Sequence, residues 1–166
     1  MKQNSNNQWH ILVVDDDPGY LLSVGDMLRD KLVDVHIDTA ATVEGGIRHA
    51  SQHHYHIAIV DMHMPLTHED EENKQIDELA GVKLMTKIKN IRKFKVGCEQ
   101  IVIFTAWPSL EDAFQTARAG ASGYIPKDNV VLTSGSQPTN TPGGLEELGK
   151  KCVAILEAQR LAAETT

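Results

Sequence analysis

Ile57-Ala58-Ile59-Val60-Asp61-Met62-His63-Met64-Pro65 is an apolar run that ends in a carboxylate and then breaks. Four consecutive apolar residues, three of them β-branched, predict a strand buried on both faces, as in a parallel sheet. Asp61 then stands at the strand's carboxyl end. In open α/β sheets that edge, where neighbouring connections diverge to opposite faces, is where ligands bind.

The flanking sequence repeats the pattern. Ile11-Leu12-Val13-Val14 is a second all-apolar run and ends in Asp15-Asp16-Asp17-Pro18. Pro18 suits the first position of a helix with Asp17 as its N-cap, and Leu21, Leu22, Gly25, Leu28 and Leu32 recur on one predicted inner face. Val33, Val35 and Ile37 alternate with polar residues, as in a half-exposed edge strand. Thr42 caps a second helix with Val43, Ile47 and Ala50 inward, although Gly45 and Gly46 each weaken it by ~1 kcal/mol relative to Ala. A third helix is predicted from about Leu79 to Arg92, and a fourth strand over Ile101 to Thr105. Ser109-x-x-Asp112 opens a fourth helix with Leu110, Ala113, Phe114 and Ala117 inward and Gly120 at its end. Gly123 to Pro126 forms a fifth strand before Lys127, and a last helix covers about 145–162.

Strands alternating with helices imply a doubly wound parallel sheet, a (βα)5 unit. Asp15, Asp16, Asp61, Thr105 and Lys127 all fall at strand ends on one edge. Three crowded carboxylates repel one another unless a cation intervenes. An all-oxygen site suits Mg²⁺, which bridges carboxylate and phosphoryl oxygens. With an ammonium and a hydroxyl nearby, the set suits phosphoryl transfer onto Asp61 as nucleophile.

Composition narrows the classes. With 166 residues, 41% of them hydrophobic, the chain fits one domain with an ordinary core. No apolar run approaches the ~20 residues of a membrane span, and the polar N-terminus lacks a signal peptide's apolar core, so a cytoplasmic protein is expected. Cys98 and Cys152 lack metal or redox spacing and read as reduced thiols. A net charge of −7 disfavours non-specific binding to nucleic acid or anionic membrane and favours a protein partner. His53-His54-Tyr55-His56 lacks a paired ligand elsewhere in the sequence and reads as a solvated turn.

Ile11 to Pro18, Val-Asp-Met-His-Met-Pro at 60–65, Phe-Thr-Ala at 104–106 and Ala-Gly-Ala-Ser-Gly-Tyr-Ile-Pro-Lys at 119–127 closely resemble the receiver domains of two-component response regulators. The resemblance implies a flavodoxin-like fold with strand order 2-1-3-4-5, an order a member of this family exemplifies. It implies one receiver domain over 1–166, with a core of about 9–128 and the final helix. Asp61 would be the phosphoacceptor for a histidine kinase or histidine phosphotransfer protein. Asp16, Asp61 and the His63 backbone carbonyl would ligate Mg²⁺, with Asp15 acting through water. Lys127 would pair with the phosphoryl oxygens, while Thr105 and Tyr124 would form the switch that moves the face made by the fourth helix, fifth strand and fifth helix. His63 and Trp107 would tune the rate by lining water's route to the phosphoryl group, with the indole as a shield. Such a protein assists only its own phosphorylation and dephosphorylation and is not otherwise an enzyme.

Two stretches exceed the family's usual length. Residues 67–79 hold six acids, Glu69, Asp70, Glu71, Glu72, Asp77 and Glu78, against Lys74 alone, and read as a solvated, mobile loop. Residues 129–144, rich in Ser, Thr, Gly, Pro and Asn, read as a flexible connection. Both are expected to restrict phosphodonors or meet a specific partner. With no output domain after the last helix, a stand-alone regulator that contacts a downstream protein rather than DNA is expected; phosphorylation-dependent pairing of two copies is left open. Alternatives are a phosphorelay intermediate or a receiver cut from a larger hybrid kinase or transcription regulator. A Mg²⁺-dependent phosphatase with an aspartyl-phosphate intermediate is the rival from another class. Enzymes resembling the haloacid dehalogenase group use Asp-x-Asp-x-Thr/Val after the first strand, which Asp15-Asp16-Asp17-Pro18-Gly19 does not supply.

Overall fold

The computed structural model describes residues 8–91, 97–127 and 143–165. Its elements are β1 (Trp9–Val14), α1 (Pro18–Lys31), β2 (Val35–Ala40), α2 (Val43–Gln52), β3 (His54–Val60), α3 (His68–Glu72), α4 (Ala80–Ile91), β4 (Gly97–Thr105), α5 (Leu110–Arg118), β5 (Gly123–Pro126) and α6 (Gly144–Glu164). The strands form one parallel sheet in the order β2-β1-β3-β4-β5. This is the flavodoxin-like (βα)5 arrangement with one added short helix.

Alternation along the central strands divides their side chains between two cores. Leu12, Val14, Ala58, Val60, Ile101 and Ile103 join Leu84, Met85 and Ile88 of α4 on one face. Ile11, Val13, Ile57, Ile59, Val102 and Phe104 join Val24 and Leu28 of α1 and Leu148, Cys152 and Leu156 of α6 on the other. Each fully buried aliphatic side chain contributes about 1.5–3 kcal/mol relative to exposure. Gly46 sets α2 against both the sheet and α4: a Cβ there would lie 3.1 Å from both Leu84 Cδ2 and Val14 Cγ2. The weak helix former thus gives α2 a close fit against Leu84 and Val14.

Several expectations are corrected. Val33 is 90% exposed and outside β2, because Asp34 takes φ +60° and the strand starts only at Val35. Leu22 is 65% exposed, and α1 buries Val24, Gly25 and Leu28. Leu110 and Phe114 of α5 are exposed; the helix buries Thr116, whose hydroxyl donates to the Asp112 and Ala113 carbonyls. The histidine run is no turn: β3 begins at His54, and Tyr55 is fully buried with its hydroxyl donating to Asp38 Oδ2 at 2.7 Å. Two of its three imidazoles also have neighbours from other strands: His54 lies beside Glu99, and His56 lies against His10, which also meets His36.

The acidic segment 67–79 is built rather than loose. Thr67 and Asp70 form a reciprocal capping box at the start of α3, Met64 and Asp77 make an antiparallel bridge, and the first amides of α2 donate to Pro65 O and Leu66 O. Acidic side chains in a first helical turn are favoured by the helix dipole, so charge alone does not make such a segment mobile. It is nonetheless solvated, since α3 buries no residue. The second expansion, 129–144, lies outside the described residues up to 142, and its last residue begins α6. Cys98 and Cys152 are both buried and free. No described helix is long and apolar enough to cross a membrane.

Candidate functional site

The parallel ladder runs one residue past three strands and sets the site. Asp15 N–H donates to Ala40 O at 3.0 Å, Asp61 N–H to Val14 O at 2.9 Å and Lys127 N–H to Thr105 O at 2.8 Å. One oxygen each of Asp15, Asp16 and Asp61 lies within 4.8 Å of the others, the one such acidic or histidine cluster found among the described residues. Lys127 Nζ lies 2.6 Å from Asp15 Oδ2 and 2.8 Å from Asp61 Oδ2, and its side chain is 2% exposed. The other oxygens are oriented by backbone: Asp15 Oδ1 accepts from Asp17 N–H at 3.0 Å, and Asp61 Oδ1 from Met62 N–H at 2.6 Å.

The electrostatics are those of an undercompensated acidic pocket. Burial first, and then the charge of Asp61, pushes the Asp15 carboxyl up to about 6 against the pull of Lys127. Burial raises Asp16 as well. Burial alone would lower the Lys127 ammonium, but attraction to Asp61 and Asp15 outweighs it and holds its pKa above the ordinary lysine value. Three carboxylates against one ammonium leave two formal negative charges uncompensated. That all-oxygen donor set fits a hard divalent cation of the Mg²⁺ kind.

Thr105, at the end of β4, is fully buried; its Oγ1 lies 3.5 Å from His63 Nδ1 and accepts from Trp107 N–H at 3.4 Å. His63 Nε2 lies 3.9 Å from Asp112 Oδ2 in the first turn of α5. Tyr124, on β5, accepts from Ser109 N–H at 3.1 Å through its phenol oxygen, and burial raises the phenol's pKa. The fold thus brings Asp15, Asp16, Asp61 and Lys127 together, with Thr105 and His63 in contact at the same strand edge. The Trp107 indole is 75% exposed, and its backbone amide, rather than its ring, makes the contact with Thr105.

Two residues escaped the sequence reading. Tyr20 stands in the first turn of α1 with Lys127 Nζ 4.1 Å from its ring centroid. The signal was its place three residues after the N-cap Asp17, which keeps it beside the acidic turn. Gly81 is the other: a Cβ there would lie 2.8 Å from Asp61 O and 3.0 Å from Met62 Cα. Only a hydrogen at that position lets α4 start against the turn after β3.

The family model for the response regulator receiver domain matches residues 11–131. The chain belongs to that family. Among solved structures this receiver domain resembles a CheY-like receiver domain protein from Methanospirillum hungatei JF-1, at 24% identity and TM-score 0.66, covering 94% of this chain and 99% of that one. It resembles the chemotaxis response regulator CheY4 of Vibrio cholerae at 20% identity and TM-score 0.63, over 90% and 99% of the two chains. A response regulator protein from Burkholderia pseudomallei with a phosphorylated aspartic acid, calcium ion and citrate shares 18% identity at TM-score 0.61, over 96% of this chain and 74% of that one. At these identities the likenesses show the fold. No curated protein matches the sequence.

Proposed function

We propose that this receiver domain accepts a phosphoryl group on Asp61 from a phosphohistidine donor, in a Mg²⁺-dependent reaction. The observation that carries the reading is the pinning of three strand-end carboxylates and one buried ammonium in a single pocket. The phosphorylated aspartic acid and calcium ion of the Burkholderia pseudomallei relative are in keeping with it.

Asp16, Asp61 and the His63 backbone carbonyl would hold the ion, with Asp15 acting through water. Bound there, it would neutralise charge on the phosphoryl oxygens. An oxygen of Asp61 attacks phosphorus; the O–P bond forms as the donor's N–P bond breaks, and the electron pair leaves with the donor imidazole nitrogen. Lys127 pairs with a phosphoryl oxygen. Thr105, released from its contact with His63, donates its hydroxyl to another. Tyr124 follows by giving up its bond from Ser109, which moves the face formed by α5, β5 and α6.

On this reading the domain is a phosphoacceptor in the cytoplasm that meets a histidine kinase or phosphotransfer protein and signals to a further protein. The ordered acidic segment at 67–79 restricts which donor docks. Deleting residues 67–78 should then change the rate from protein donors without changing that from acetyl phosphate, and an unchanged donor preference would refute the restriction. The phosphotransfer reading is tested by mixing the chain with a phosphorylated histidine phosphotransfer domain. One phosphoryl group should move across and remain, with no sustained hydrolysis of para-nitrophenyl phosphate; sustained turnover would favour a phosphatase.

A further inference from the structure

We propose, building on that phosphoacceptor reading, that Tyr20 is a positioning residue for the transfer: its ring face holds the Lys127 ammonium in the place where it meets the incoming phosphoryl group. Lysine carries three donors on a flexible four-carbon stem, so an ammonium at a strand end needs more than a charge partner to stay in one place. Two of its contacts are Asp15 Oδ2 and Asp61 Oδ2, at 2.6 and 2.8 Å. The third is the ring of Tyr20, whose centroid lies 4.1 Å from Nζ, well inside the ~6 Å range of a cation–π contact. With the lysine side chain 2% exposed, this contact is desolvated, the setting in which the ring's quadrupole attracts a cation most strongly.

The ring is itself held. Asp17 Oδ1, the N-cap of α1, accepts from Gly19 N–H at 2.7 Å and from Tyr20 N–H at 3.4 Å, which fixes the turn that carries the ring. Phe104, 1% exposed on β4, forms a T-shaped pair with the ring, with centroids 6.1 Å apart and planes at 89°. Phe104 precedes Thr105, so the residue that steadies the ring is the immediate chain neighbour of the site's hydroxyl.

The chemistry gives the ring a specific use. During transfer Lys127 must exchange a carboxylate oxygen of Asp61 for a phosphoryl oxygen. An ammonium held only by the two carboxylates would have to release one partner before gaining the next. The ring face attracts the cation without a directional hydrogen bond, and so keeps it in place through the exchange.

The test varies the ring's quadrupole at constant shape. Phenylalanine and its mono-, di- and trifluorinated forms are placed at position 20 of the full chain, and the rate of Asp61 phosphorylation by acetyl phosphate with Mg²⁺ is followed beside the thermal midpoint. Tyr20→Phe should phosphorylate within about twofold of wild type, and the rate should then fall stepwise with fluorination to about tenfold lower, while the midpoint falls by only a few degrees, so that every variant is folded in the assay. Rates that are flat across the series, or that fall only as far as the unfolded fraction at the assay temperature accounts for, would overturn the role. In a second measurement the Lys127 Hε protons should resonate upfield in wild type and lose that ring-current shift in Tyr20→Leu; an unshifted wild-type resonance also overturns it. No phosphoryl adduct on wild type would remove the phosphoacceptor reading and this role with it, whereas an adduct whose rate ignores fluorination removes this role alone.

Discussion

Lys127 reaches across the sheet to Asp61. The lysine ends β5 and the aspartate ends β3, with β4 between them, yet Nζ lies 2.8 Å from Asp61 Oδ2 and 2.6 Å from Asp15 Oδ2 at the end of β1. One ammonium therefore ties three strand ends together and occupies the place where a transferred phosphoryl group would need a counter-charge. Its removal should be felt both in stability and in chemistry. Losing one partner of a buried ion pair costs about 3–5 kcal/mol, because the charge left behind is uncompensated. Lys127→Ala should lower the thermal midpoint, and Mg²⁺ should restore more stability to the variant than to wild type by taking over the charge of Asp15 and Asp61. Melting curves with and without Mg²⁺ check this; equal shifts in the two proteins would contradict it.

Gly81 makes a second prediction through backbone contact. A methyl group there meets Asp61 O at 2.8 Å and Met62 Cα at 3.0 Å, and neither is the end of a flexible side chain. Gly81→Ala should cost about 1–3 kcal/mol, the usual range for overpacking, and slow phosphorylation because the displaced turn carries the nucleophile. Chemical denaturation and acetyl phosphate kinetics measure the two effects, and a variant of wild-type stability would refute the close approach.

The opposite end of the sheet predicts a pH dependence. Burial, with the charge of His36 added, holds the His10 imidazole below its ordinary 6.5, and burial does the same to His56. As pH falls through 6.5 the unfolded chain takes up protons that these two groups in the folded chain do not. Their contribution to stability is thus fully present above 6.5 and is lost below it. Asp15, with its pKa at about 6, works in the other direction over part of this window, because the folded carboxyl binds its proton first. The prediction is therefore a difference: between about pH 7.5 and about pH 5.5, wild type should lose more urea stability than His10→Gln. Parallel losses in the two proteins would show that His10 titrates normally.

On the phosphoacceptor reading, Trp107 should bear on the lifetime of the phosphorylated state. Its amide contacts Thr105 while its indole is 75% exposed, two residues beyond the site's hydroxyl. Trp107→Ala should shorten the acyl phosphate's lifetime at unchanged formation rate, as read by loss of the adduct mass after the donor is removed. An unchanged lifetime would leave shielding to His63.

Much of this molecule was legible in its sequence because buried parallel strands advertise themselves. Ile11 to Val14 and Ile57 to Val60 are apolar on both faces, and the charged residue after each run marks the edge that carries the site. Helix faces were harder to read. Leu110 and Phe114 suggested the inner face of α5, but the helix instead buries Thr116, whose hydroxyl is satisfied by carbonyls within its own helix and so loses little by leaving water. Hydrophobicity alone does not register such a residue. The acidic stretch at 67–79 misled for a related reason, since its order comes from the Thr67–Asp70 capping box and the Met64–Asp77 bridge, which composition does not reveal. Gly81 was invisible and Tyr20 only hinted at by its place after Asp17, because each acts through a contact with a segment distant in sequence.

The central claim, that Asp61 is a Mg²⁺-dependent phosphoacceptor, is most directly tested by intact mass. Wild type and Asp61→Asn are incubated with acetyl phosphate, with and without Mg²⁺. A single added phosphoryl group on wild type with Mg²⁺, and none in Asp61→Asn or without the ion, is the predicted result. An unmodified wild type, or an adduct that persists in Asp61→Asn, would contradict it.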